Sequence, residues 1–175
     1  RNVWGLKSLN LGDNKNISSV SINNENFGGS LNVKFKGNYI TNITTYSVLP
    51  DVSECPALVY ASIFQAPSGI VDFSHNSELT SVTCNNGNVT SINVSACSNL
   101  KTLSCYSNNK MESLNLAGCS KLQSLYCDNC SLESLDLSEC PLITSVSCRS
   151  NKITSLNTNG CDLLKSLYCE CYPRM

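Results

Sequence analysis

The chain has 175 residues, 41% of them hydrophobic and 14% charged, with twelve basic side chains against thirteen acidic ones and a formal charge of −1. This is one domain's length of chain with scattered charges, which excludes a basic stripe for nucleic acid or a basic membrane face. No run approaches the roughly 18 apolar residues of a spanning helix, and the start at Arg1 rather than Met is read as the trace of a removed upstream segment.

In chain order, residues 1–5, with the single tryptophan Trp4, are expected to cap the first coil. A first phrase follows at once as Leu6-Lys-Ser-Leu9-Asn-Leu11 with Asn14, and then Ile17-Ser-Ser-Val20-Ser-Ile22. Over residues 27–54 the register blurs, and an irregular coil or a protruding loop around Thr44 to Pro50 is expected. From Cys55 to Cys169 it is regular. One phrase recurs as Leu79-Thr-Ser-Val82-Thr-Cys84, Leu100-Lys-Thr-Leu103-Ser-Cys105, Leu122-Gln-Ser-Leu125-Tyr-Cys127, Ile143-Thr-Ser-Val146-Ser-Cys148 and Leu164-Lys-Ser-Leu167-Tyr-Cys169. Its cysteines are 21, 22, 21 and 21 residues apart. Between them runs a second phrase, as in Met111-Glu-Ser-Leu114-Asn-Leu116 and Leu132-Glu-Ser-Leu135-Asp-Leu137, followed three residues later by Cys97, Cys119, Cys140 or Cys161. Residues 170–175 form the C-terminal end.

A fixed period near 21 is the signature of a solenoid. Within each phrase the last two apolar residues alternate with a polar one, which predicts very short strands with one face buried. No segment has helical periodicity. The expected architecture is therefore a β-rich solenoid with a short parallel strand on each of two sides and little or no helix. Each coil is too small to fold alone and depends on the coils above and below it.

The twelve cysteines fall on this frame as ladders. Cys84, Cys105, Cys127, Cys148 and Cys169 share one position, and Cys55, Cys97, Cys119, Cys140 and Cys161 another. Cysteine packs as a small buried hydrophobe, and side chains of an in-register parallel pair run side by side rather than towards each other, so free thiols are expected. That suits a reducing or anaerobic setting. The residue three after each strand is Asn (Asn14, Asn38, Asn76, Asn108, Asn151) or Cys (Cys55, Cys97, Cys119, Cys130, Cys140, Cys161), where the turning chain exposes backbone groups for an amide or thiol to satisfy.

The string Leu-x-x-Leu-x-Leu/Cys-x-x-Asn/Cys-x-Leu resembles a leucine-rich repeat, and the two nested phrases are similar to the short class found in surface and secreted proteins of anaerobic gut bacteria. The resemblance covers residues 6–24 and 55–169 and implies a right-handed coil. It also implies a secreted or cell-surface bacterial scaffold that binds proteins or glycans, is not an enzyme and takes no cofactor.

Candidate chemistry is weighed on the same frame. Cys127-Asp-Asn-Cys130 has the spacing of a metal or redox pair, but one cysteine is a ladder position and the other a corner, so no metal site is assigned. Cys171 is off the ladder and is expected to be exposed or paired. His75 aligns with Glu54, Ala96, Gly118, Glu139 and Gly160, a variable corner, and is expected to be a solvated turn residue rather than a nucleophile's base. Five Asn-x-Ser/Thr sequons, at Asn16, Asn42, Asn88, Asn93 and Asn129, are what an Asn-, Ser- and Thr-rich chain produces by chance.

The outward row of the first sheet has variety: Thr83, Ser104, Tyr126, Ser147 and Tyr168, beside Asn85, Tyr106, Asp128, Arg149 and Glu170, with Lys101, Gln123 and Lys165 further out. The second sheet shows the monotonous Asn93, Asn115, Asp136 and Asn157. Tyrosine and arginine are favoured at interfaces and aromatic rows hold sugar rings, so Tyr106, Tyr126, Arg149 and Tyr168 are the candidate ligand-binding residues. The expected function is a non-catalytic interaction scaffold; the alternative is a spacer or stalk module with no ligand of its own. A monomer or an end-to-end dimer is expected, because the last coil leaves an open edge.

Overall fold

A computed structural model describes residues 7–24 and 31–170. The chain is a parallel β-solenoid, and the described residues contain no helix. One side is an eight-stranded parallel sheet. In chain order its strands are β2 (Ser19–Asn23), β4 (Asn42–Tyr46), β6 (Tyr60–Phe64), β8 (Ser81–Asn85), β10 (Thr102–Ser104), β11 (Ser124–Tyr126), β13 (Ser145–Ser147) and β15 (Ser166–Tyr168). The opposite side is broken into shorter ladders: β1 (Ser8–Gly12), β3 (Leu31–Gly37) and β5 (Val48–Glu54); then β7 (Gly69–Asp72) with β9 (Val89–Asn93); then β12 (Ser134–Asp136) with β14 (Ser155–Asn157). A single parallel bridge from Asn93 to Asn115 continues the second side between the last two ladders.

Register follows the repeat. Leu103 sits opposite Val82 on one side and Leu125 on the other, and Val146 opposite Leu125 and Leu167. The columns so formed, from Ile43 and Ala61 through Val82, Leu103, Leu125 and Val146, are at most 2% exposed. Each side chain in such a column is covered by its own equivalent in the next coil, which is why stability is shared along the stack.

Nine ladder and corner cysteines, Cys55, Cys84, Cys97, Cys105, Cys119, Cys127, Cys130, Cys140 and Cys161, are buried free thiols. Cys169 departs from the ladder expectation, being exposed, and Leu167 beside it is 39% exposed. The reason is positional: β15 is the edge strand, paired on one side to β13.

Two further expectations are corrected. Thr44 to Pro50 is not a protruding loop, because β4 and β5 meet there through the single residue Ser47, and Thr45, Val48 and Pro50 are buried. The phases at the N-terminus are also reversed. Leu9 and Leu11 belong to β1 on the broken side, while Val20 and Ile22 lie in β2 of the long sheet. The Trp4 cap and Cys171 fall outside the described residues.

The long-sheet strands from β4 to β13 are followed by a residue with left-handed backbone: Ser47, Gln65, Asn86, Ser107, Asn129 and Ser150, all with φ between 53° and 58°. Its amide donates to the next coil, as Gln65 N does to Asn85 O at 3.1 Å and Ser107 N to Asp128 O at 2.8 Å. A non-glycine residue there is strained by about 1–2 kcal/mol, whereas glycine loses about 0.5–1 kcal/mol in chain entropy. Gln65 is exposed and its side chain is dispensable, so Gln65→Gly is expected to raise stability by about 0.5–1 kcal/mol. Urea unfolding midpoints of the two chains at equal m-value check this.

Candidate functional site

The long sheet places the candidate residues in two adjoining rows. Parallel register sets Ser104 beside Tyr126, Tyr126 beside Ser147, and Ser147 beside Tyr168. Tyr106, Asp128, Arg149 and Glu170 follow as the next row, joined through the backbone: Ser107 N donates to Asp128 O at 2.8 Å, Asn129 N to Arg149 O at 2.9 Å and Ser150 N to Glu170 O at 2.8 Å. Tyr106 is 37%, Tyr126 39% and Tyr168 46% exposed.

Arg149 lies across the ring of Tyr168, its guanidinium carbon 4.5 Å from the ring centroid. Its Nε is 3.8 Å from a carboxylate oxygen of Glu170, an ion pair rather than a hydrogen bond. Stacking holds the flexible arginine in place at an exposed site, where such contacts contribute about 0.5–1 kcal/mol. The head group is thereby set against the Tyr168 ring.

Asp128 was not singled out by sequence, and it organises the row. Ser147 Oγ donates to its two oxygens at 2.7 and 2.9 Å, and Arg149 N donates to Oδ1 at 2.6 Å. Ser147 therefore does not point freely outward as the alternation implied, being only 8% exposed. The same device stands two coils earlier, where Ser104 Oγ donates to Oδ1 of buried Asn85 at 3.1 Å. Serine paired with Asn or Asp thus alternates with tyrosine along the sheet. The signal was the shared spacing of Asn85 to Ser104 and Asp128 to Ser147.

The sheet carries more aromatic surface than the sequence reading assigned. Tyr46 and Phe64 stack at 5.0 Å between centroids and 25° between planes, and Tyr60 is 51% exposed. These strands lie in or border the segment read as irregular.

The second side is tied to itself. Asp72, Asn93, Asn115, Asp136 and Asn157 each accept the amide two residues on, at 2.9 to 3.2 Å, closing the turn after the strand. Asn93 and Asn157 also donate to the carboxylates of Asp72 and Asp136, both at 3.0 Å. The row repeats because every coil needs the same turn closed. Hydrogen bonds from Ser138 hold the Asp136 carboxyl below its ordinary value.

The remaining candidates have structural partners. Cys127 Sγ donates to Ser147 O at 3.4 Å and Cys130 Sγ to Cys105 O at 3.3 Å. Burial pushes the Cys130 thiol up to about 11 and that of Cys127 well above the usual range, which disfavours the thiolate that metal binding or nucleophilic attack requires. No group of three His, Cys, Asp or Glu side chains among the described residues is placed to hold a metal. His75 is exposed, its Nδ1 3.1 Å from Ser74 Oγ. No helix among the described residues is long and apolar enough to cross a membrane.

No family model matches the sequence. No curated protein matches it either. The fold is similar to that of the functional domain of InlJ from Listeria monocytogenes, described as including a cysteine ladder, with a TM-score of 0.68 and 17% sequence identity. The match covers 94% of this chain and 46% of that one, so the chain spans less than half the length of the protein it resembles. What the two share is the architecture, a solenoid of stacked coils.

Proposed function

We propose that the long sheet is a non-catalytic interaction surface that binds a protein or glycan partner outside the cell through Tyr106, Tyr126, Arg149 and Tyr168. The observation that carries the reading is internal to the repeat. Every coil sets a residue at the same outward position, so the chain supplies its own reference for what that position needs. In the row Ser21, Thr44, Ser62, Thr83, Ser104, Tyr126, Ser147, Tyr168 the fold is satisfied by Ser or Thr, and the two tyrosines exceed that need. Both are exposed, and one is braced by Arg149. Rigid aromatic anchors beside a positioned arginine are the side chains that dominate binding energy at interfaces.

Returning Tyr126 and Tyr168 to Ser, and Arg149 to the Asn found at Asn85, uses residues the same columns already hold. The triple variant is expected to unfold within about 1 kcal/mol of the parent, the scale of the lost Arg149–Tyr168 stack, and to lose at least about tenfold in affinity for a partner identified on glycan and protein arrays. Undiminished binding by the variant would remove these residues from the site. Arrays without a partner would favour the spacer reading.

A further inference from the structure

The internal reference identifies a second departure, on the opposite side of the solenoid. At the outward position occupied by Ser91, Ser134 and Ser155, the coil of β7 carries Ile70, which is in register with Ser91 and, at 60% exposed, is the most exposed large apolar residue described. Leu49 of β5 lies next to it, crossing the space above Gly69, where any Cβ would collide with its side chain. Leu49, Pro50 and Ile70 line a cleft of about 370 Å³ whose polar wall includes Asp51, Asp72 and His75.

The two carboxylates leave capacity on the cleft. Asp51 Oδ1 accepts from Ser53 N at 3.0 Å and Ser53 Oγ at 2.7 Å, and Asp72 Oδ1 accepts from Ser74 N at 2.9 Å and Asn93 Nδ2 at 3.0 Å. Among the described residues neither Oδ2 accepts a hydrogen bond. Partial burial works to raise the Asp51 value, but the Ser53 hydroxyl and amide outweigh it and hold the carboxyl below its ordinary range. The neighbouring cations pair with Glu54: Lys34, in register with Asp51, reaches Glu54 Oε1 at 2.7 Å while its charge also helps to hold the Asp51 carboxyl down, and Lys36 reaches Glu54 Oε2 at 3.0 Å.

An apolar floor flanked by two carboxylates with open oxygens is complementary to a cation on an aliphatic stem. The volume lies at the small end for a ligand pocket, which suits a side chain rather than a whole cofactor. We propose that this cleft takes the arginine or lysine side chain of a peptide, its stem on Leu49 and Ile70 and its charged head against Asp51 and Asp72.

Acetyl-arginine amide, with the uncharged isostere acetyl-citrulline amide as control, provides the test by NMR titration of the full chain. The arginine probe is expected to give saturable shifts at the Leu49 and Ile70 methyls, with affinity roughly tenfold above the citrulline probe, the scale of one charge-assisted hydrogen bond. Ile70→Ser and Asp72→Asn place at these sites residues that other coils carry, and each is expected to weaken arginine binding roughly tenfold with an unchanged melting temperature. Equal affinity for the two probes, no saturable shift in the parent, or full affinity in both variants overturns the assignment. The cleft lies on the other side from Tyr126 and Tyr168, so the outcome is independent of the long-sheet proposal.

Discussion

Asn151→Ala is expected to cost the fold about 3–5 kcal/mol, while Asn76→Cys costs less than about 1 kcal/mol, although both asparagines are buried at a corner of the coil. Asn151 is fully used. Its Nδ2 donates to Cys127 O at 2.8 Å, Cys148 O at 3.0 Å and Arg149 O at 3.2 Å, and its Oδ1 accepts Leu132 N at 3.0 Å. Arg149 O keeps its bond from Asn129 N, but alanine strips Cys127 O, Cys148 O and Leu132 N of this partner in the buried corner, at about 1–3 kcal/mol for each one left unsatisfied. Asn76 is half used: Nδ2 donates to Val52 O at 3.1 Å and Cys55 O at 2.9 Å, but Oδ1 has no partner. One coil on, Cys97 Sγ approaches the equivalent carbonyls of Phe73 and Asn76 at 3.6 and 3.7 Å. A thiol at position 76 keeps both contacts in weaker form and removes an orphaned oxygen, so gain and loss nearly cancel.

Asn151→Cys falls between them, at about 1–2 kcal/mol, since a thiol donates as Cys130 does to Cys105 O but leaves Leu132 N without its acceptor. Denaturant unfolding of the three variants measures the order. A loss at Asn76→Cys equal to that at Asn151→Ala would mean that corner burial, not the count of satisfied groups, decides which residue stands there.

These corners show what the sequence made legible. The Asn/Cys alternation named the positions, and their backbone role followed from the turn. Which asparagine uses both ends of its amide did not follow, because that depends on whether an amide of the previous coil is free. Leu132 N bonds to Asn151, whereas Leu58 N, in the coil before Asn76, already donates to Cys55 O at 3.2 Å. Residues 31–54 were opaque for a related reason. Ser19 pairs with Asn42 and Asn42 with Tyr60, so the steps depart from 21, and β5 begins directly after the left-handed Ser47 without the corner residues that other coils insert. A period-based reading loses register when a coil cuts its corner, although the packing beneath continues. Buried Thr45 shows the adjustment: it occupies the column of Ile63 and Cys84, with its hydroxyl 3.5 Å from Val48 O. Alternation alone put Tyr126 and Tyr168 on the outward face, where both are exposed, and the Asp128 lock beside them needed coordinates.

The cysteine columns are expected to make the protein sensitive to base. Burial raises the thiol of Cys55, Cys97 and Cys130 to about 11 and those of Cys84, Cys119 and Cys140 to about 12, and pushes Cys105 and Cys127 well above the ordinary value of 9. The folded chain thus holds protons that the unfolded chain releases above pH 9. Stability is whole below that point and falls as pH rises, because deprotonation favours the unfolded state first. At pH 10 each such thiol contributes a loss of roughly 1.4 kcal/mol, and the set together on the order of 10 kcal/mol, comparable with the whole stability of a typical domain at about 5–15 kcal/mol. Under reducing conditions the solenoid is expected to unfold cooperatively with a midpoint between about pH 9.5 and 10.5, thiolate absorbance and loss of the β circular-dichroism signal rising together. Cys84→Val with Cys105→Val, side chains of the kind Ile63 already supplies to that column, removes two of the titrating groups and is expected to move the midpoint to higher pH. Thiolates that titrate gradually while the β signal holds to pH 11 would show that solvent reaches the columns, and the ladders would then not be the dry interior on which the stack of coils rests.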